Sequence, residues 1–228
     1  MAQNTGNAKN ILVGASPLFL SNTDITTAGY TENAAPGTGD YAFVSAESFT
    51  TTLNGINQVA GTFGYRNVGF TNNGLQVTYN PSYGSVTVDQ LLDTAKLFKE
   101  SMEVMIATEM AEGTLENVLT VFGQRSTTLA STGIGAAAED KLGIAGGALG
   151  EAPTERQLIA VGQAPTSEAT ATERVYYARR VLSVQQSQFS LARNAASTFP
   201  VTFRLLPDGA SANVGQEYGF IVDRVLTV

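Results

Sequence analysis

Asn67 to Gly123 reads NVGFTNNGLQVTYNPSYGSVTVDQLLDTAKLFKESMEVMIATEMAEGTLENVLTVFG, and how its three pieces alternate decides the fold. Leu75 to Tyr79 alternates apolar and polar side chains, and Val86-Thr87-Val88 does the same, so each suits a half-buried strand. Asn72-Asn73-Gly74 and Asn80-Pro81-Ser82 bring turn chemistry to their edges. Leu97 to Met110 is one long alternating run. Met102, Val104, Ile106 and Met110 point one way, and Ser101, Glu103, Met105, Ala107 and Glu109 point the other. The stretch closes on a short helix. Thr114 is placed to cap it, Leu115, Val118, Leu119 and Phe122 recur at helical spacing, and Gly123 stops it.

Outward from this stretch, strand patterns resume on both sides. Ile11 to Leu20 is strand-like, and the hairpin signal Asn54-Gly55 predicts a β-hairpin within Tyr41 to Phe63. Towards the C-terminus, strands are expected at Arg156–Val161, Arg174–Val184, Gln188–Arg193, Phe199–Leu206 and Tyr218–Val228. Eight or more strands with one clear helix favour two packed antiparallel sheets with the helix at their flank. The whole chain, 1–228, reads as a single domain. Residues 1–10 are a small polar arm, and 30–66 and 127–153 are loop insertions, the second crowded with Gly143, Gly146, Gly147 and Gly150.

Composition narrows the chemistry. Hydrophobic residues at 43% against 14% charged leave ample material for a core in 228 residues. No apolar run reaches the length of a membrane span, and no basic leader precedes a long apolar stretch, so synthesis in a cytoplasm without a signal peptide is expected. The chain has no cysteine and no histidine. That removes disulfides, thiol nucleophiles, Ser-His-acid triads and histidine-based metal sites together.

What is left for catalysis is weak. Glu100 with Glu103, or Glu109 with Glu112, has the residue types of a glycosidase pair, but a strand sends the members of each pair to opposite faces. Gly133-Ile134-Gly135-Ala136-Ala137-Ala138 has the spacing of a nucleotide-binding turn without the strand-then-helix context that turn requires. Glu139, Asp140 and Glu151 lack a calcium-loop pattern. Arg179 and Arg180 face opposite ways on one strand, which points to ion pairing and not to a phosphate patch. The expectation is a protein with no enzymatic activity, cofactor or metal.

Charge is uneven. The formal net charge is −7. Asp89, Asp93, Glu100, Glu103, Glu109, Glu112 and Glu116 against Lys96 and Lys99 place −5 of it between residues 89 and 116. The face bearing Glu103 and Glu109 is only half apolar, so it should stay wet.

The order of these pieces resembles the tail tube (major tail) proteins of long-tailed bacteriophages. Asn67-Val68-Gly69-Phe70, Gly74 to Tyr79, Val86-Thr87-Val88-Asp89-Gln90 and Thr114-Leu115-Glu116-Asn117-Val118 carry the resemblance. Val175 to Val225, including Thr198 to Phe203, is similar to the strand-rich end of that family. About half the chain is covered. The resemblance implies a mainly β, antiparallel sandwich or barrel-like tail tube fold with one flanking α-helix and long loops. It also implies self-assembly into rings, commonly hexameric, that stack into a tube in the virion tail, after synthesis in the host bacterial cytoplasm. Implied partners are further copies of the chain, the tape-measure protein, tail terminator and baseplate or tip proteins, and double-stranded DNA passing without specific binding; no membrane is involved.

On this reading Glu103 and Glu109 face the channel, where an acidic wall keeps phosphates from adhering. Tyr30–Arg66 and Thr127–Pro153 look longer than the common core needs, and either is a candidate for stacking rings. The alternative from another class is a capsid decoration or adhesin-like β-sandwich binding protein.

Overall fold

The computed structural model describes residues 16–21, 65–132, 139–165, 172–185, 187–189, 193, 196–209 and 214–225. The N-terminal arm, the hairpin expected within Tyr41–Phe63 and the Gly133–Ala138 turn lie outside the described residues. Ten strands, one α-helix and one short 3-10 turn are present among those residues: β1 Leu18–Ser21, β2 Tyr65–Asn67, β3 Thr71–Thr87, β4 Thr94–Met110, α1 Leu115–Val121, β5 Leu129–Thr132, β6 Glu139–Leu142, β7 Arg156–Gln163, β8 Thr172–Ser183, β9 Phe199–Leu205 and β10 Gly219–Val225. The molecule is mainly β and antiparallel.

Alternation becomes architecture most plainly in β9. Phe199, Val201, Phe203 and Leu205 are buried while Pro200, Thr202 and Arg204 are not, the period of two that a strand imposes. The same rule sorts β4, where Ile106, Thr108 and Met110 are buried and Met105, Ala107 and Glu109 are only half-buried. Thr108 belongs on the core face because its hydroxyl donates to the Gly74 carbonyl at 2.9 Å, which removes the cost of burying it unpaired.

The strands form one eight-stranded sheet in the order β2-β1-β7-β8-β9-β4-β3, with β10 paired to β8 off this path; β5 and β6 make a separate ribbon. The sheet branches at β8. Its residues 172–178 pair with β10, whereas Val181–Ser183 pair with β9. The expected two sheets are thus one continuous sheet, and it curls. Its end strands β2 and β3 are joined by Val68, Gly69 and Phe70 alone, a reach of about 14 Å, whereas seven strands laid flat span roughly 29 Å. Within that link the Val68 amide donates to the Leu18 carbonyl in β1 at 3.0 Å, and the Ala111 amide donates to the Phe70 carbonyl at 2.8 Å.

One face of the sheet carries a core cluster that includes Leu18 and Leu20 of β1, Leu158 of β7, Val181 of β8, Phe203 of β9 and Ile106 of β4, with Val68 and Val121 of α1. Burying side chains of this size contributes roughly 1.5–3 kcal/mol each. The opposite face carries a second cluster of Phe19, Tyr65, Ile159, Val161, Val175 and Tyr177. Gln157 is buried there and satisfied. Its carbonyl accepts from the Tyr65 hydroxyl at 2.6 Å, and its amide donates to Tyr177 Oη at 2.9 Å.

Several expectations change. Leu75–Tyr79 and Val86–Val88 are not separate strands, because β3 runs unbroken from Thr71 to Thr87 with Pro81 opposite Met102. β3 ends the sheet, and an edge strand tolerates a proline whose missing N–H would face solvent. Asn72-Asn73-Gly74 does supply left-handed residues, Asn73 at φ 60° and Gly74 at φ 67°, but spends them on a bulge where the register shifts between Asn72 and Gln76. Of the strand expected at Gln188–Arg193, the described residues Gln188, Phe189 and Arg193 lie outside any strand, and 190–192 lie outside the described residues. In 127–153 the described residues form the β5–β6 ribbon and a segment tied to its own chain, with Arg125 and Glu151 paired at 2.7 Å and Gln124 bonded to both the amide and the carbonyl of Ala145.

Candidate assembly surface

Among the described residues, the outer half of the β3–β4 hairpin is bare on both faces. From Thr94 to Ser101 every residue of β4 is exposed, on both faces of the ladder, and the paired half of β3 is nearly as bare. The hairpin is thus an arm that leaves the sheet. Its register runs on from Val77↔Ile106 through Pro81↔Met102 to Val86↔Lys96, with one shift between Ser82 and Tyr83.

This arm is not a polar spacer. Val77, Tyr79 and Pro81 stand opposite Ile106, Val104 and Met102, so the core face of β4 continues along the arm into solvent. Lys99 lies on this face. Its ammonium donates to Tyr79 Oη at 3.3 Å, contacts Met102 Sδ at 2.8 Å and sits 5.6 Å from the centre of the Tyr79 ring. At the tip, Leu91 and Leu92 are 57% and 112% exposed, and Leu97 is 65% exposed. Where the arm meets the sheet, a groove of about 300 Å³ opens between Val77, Tyr79, Met102 and Val104 on one side and Tyr176, Phe220 and Ile221 on the other.

Glu103 and Glu109 share the opposite face of β4, as their spacing predicts. Glu103 stands 3.6 Å from Arg204 of β9, and Glu109 accepts a hydrogen bond from Asn72 Nδ2 at 3.3 Å. Both are half-buried side chains at a wet surface, and their partners hold them on one side of the sheet. Glu112, offered above as a mate for Glu109, instead accepts from the Phe70 amide at 2.9 Å. Glu100 sits at the irregularity in the arm ladder, where Lys99 rather than Glu100 pairs with Tyr83. Neither carboxylate pair converges on a cleft.

The helix-side blocks of the sequence meet in space. Arg66 donates to Asn117 Oδ1 at 2.6 Å, to the Glu116 carbonyl at 2.8 Å and to Thr120 Oγ1 at 2.8 Å. Asn117 Nδ2 donates to the carbonyls of Val68 and Glu112 at 2.8 and 2.9 Å. Burial lowers the Arg66 guanidinium to about 10, with nearby Arg156 adding to the fall and Glu116 opposing it. This network turns α1 so that Asn117, Leu119, Thr120 and Val121 are buried. Phe122, expected on the core face, is 37% exposed and packs 6.2 Å from Phe189.

Both ends of the helix follow the sequence. Thr114 Oγ1 accepts from the Asn117 amide, and Gly123 at φ 63° lets the amides of Gly123 and Gln124 reach the carbonyls of Thr120 and Leu119. In the link itself, Gly69 adopts φ 84°, and a Cβ there would fall on the Glu112 carboxylate.

Arg179 and Arg180 are both tied within the chain. Arg180 forms a two-pronged pair with Glu155, at 2.6 and 2.9 Å, while Arg179 on the other face donates to the Gln216 carbonyl. No group of three metal-ligating side chains occurs among the described residues. No helix among them is long and apolar enough to cross a membrane. Among the described residues, β5 and its antiparallel partner β6 flank Gly133–Ala138, which is not the strand-then-helix frame of a nucleotide site. The chain matches no family model and no curated protein.

Sequence reasoning missed the arm tip. The signal was there: Leu91-Leu92 is an apolar pair inside a polar turn, between Gln90 and Asp93. A turn that only reverses the chain has no use for such a pair.

Proposed function

We infer that this chain is the tail tube subunit of a long-tailed bacteriophage, a structural protein that assembles with itself into stacked rings around a channel for DNA. The observation that carries the reading is the β3–β4 arm, which exposes apolar side chains on both faces where a monomer would gain nothing from them. The order of motifs from Asn67 to Val118, which resembles that family, supports it. So does the acidic balance, because a channel for DNA works best when its wall repels phosphate. Glu103 and Glu109 are the side chains assigned to that wall.

The tube is placed in the virion tail, with the tape-measure protein inside and terminator and tip proteins at its ends. Sedimentation velocity over a rising concentration series tests the reading. Species growing beyond a single ring are expected; a plateau at monomer or trimer at every concentration contradicts it and fits a decoration protein.

A further inference from the structure

We propose that the tip of the arm, Leu91-Leu92 between Asp89 and Asp93, seats in the groove at the arm root of a second copy, where Lys99 receives the tip's aspartates. The proposal rests on the assembly reading and gives that contact its two surfaces.

The tip cannot serve its own groove. The ladder runs without a fold from Val104 to Thr94, which at ~3.4 Å per residue sets the tip on the order of 35 Å from the groove. A groove-to-groove dimer would leave both leucine tips in water. Tip-to-groove contact covers both surfaces at once.

Both surfaces are bare. Val77, Tyr79, Tyr83, Leu91, Leu92 and Leu97 are each about half exposed or more. Together the six expose on the order of 700 Å², divided between the tip of one copy and the arm root of the next, so each contact is smaller than a standard interface of ~1,600 Å² in total.

Charge agrees as well. The Lys99 ammonium, at the groove wall formed by Tyr79 and Met102, meets a phenol and a thioether, neither of them a countercharge. The tip brings Asp89 and Asp93. Glu217, the charged residue that lines the groove itself, is turned to the Gly215 amide at 2.9 Å, which holds its carboxyl below the usual range. Used head-to-tail, the contact propagates from copy to copy.

The chain has no cysteine, so Leu92→Cys and Ile221→Cys introduce its first thiols, both at exposed positions. Under mild oxidation, mixing the two single variants should give a Leu92–Ile221 linked dimer, and the double variant should give a covalent ladder on a non-reducing gel. Lys99→Glu should raise the concentration for half-assembly about fivefold, and adding Asp89→Lys and Asp93→Lys should restore it. Assembly without the 92–221 link, links only between two copies of position 221, or no restoration by the charge swap overturns the proposal and leaves the assembly reading standing. Absence of any association in the unmodified protein overturns both.

Discussion

Asn117 is a small polar residue on which three parts of the chain converge. Its side chain accepts from Arg66 and donates to the carbonyls of Val68 and Glu112. Asn117→Ala strips the half-buried Arg66 of one acceptor and takes the Asn117 donor from two carbonyls, so unfolding in urea should show a loss of about 2–4 kcal/mol. Exposed charges should matter far less. Arg174 and Asp223 form a two-pronged pair across β8 and β10, and Arg174 holds the Asp223 carboxyl below its usual range. A depressed carboxyl stabilises the fold above its unfolded pKa, and that stability is lost as pH falls through the folded value. Asp223→Asn should therefore remove a small part of the acid dependence between about pH 4 and lower values. The effect should stay within about 1 kcal/mol because the pair is exposed.

Elements repeat the lesson with larger stakes. Phe203 is buried in the middle of β9, and Phe203→Ala should cost about 3–5 kcal/mol. Pro81 sits on the free edge of the arm, and Pro81→Val should leave the midpoint of chemical unfolding within about 0.5 kcal/mol of the parent. The strands of the sheet interior were legible because one wet and one dry face impose a period of two, as in Phe199–Leu205. The helix ends were legible because Thr114 and Gly123 do local work that no tertiary contact has to rescue. Two things were not. The arm has no dry face of its own, so alternation stops reporting where β3 ends, and Pro81 reads as a turn. The face of α1 was set by Arg66, fifty residues away in sequence, which no helical spacing records.

For the whole molecule, one curled sheet with a projecting arm leaves apolar surface uncovered, and on the proposed function that surface serves assembly. Reversing the wall, with Glu103→Lys and Glu109→Lys together, should leave monomer stability within about 1 kcal/mol, since both lie at a wet face. Tubes of that variant should retain DNA in a salt-dependent way that the parent does not; equal retention by both would remove these residues from the channel. If arm tips seat in grooves of the next copy, the axial rise between successive copies along the tube cannot exceed the length of the arm, about 40 Å. The most direct measurement is an electron micrograph of the purified protein at high concentration. The account predicts rings and stacked tubes with an axial repeat at or below that length; a field of monomers, or of closed two-fold dimers, would contradict it.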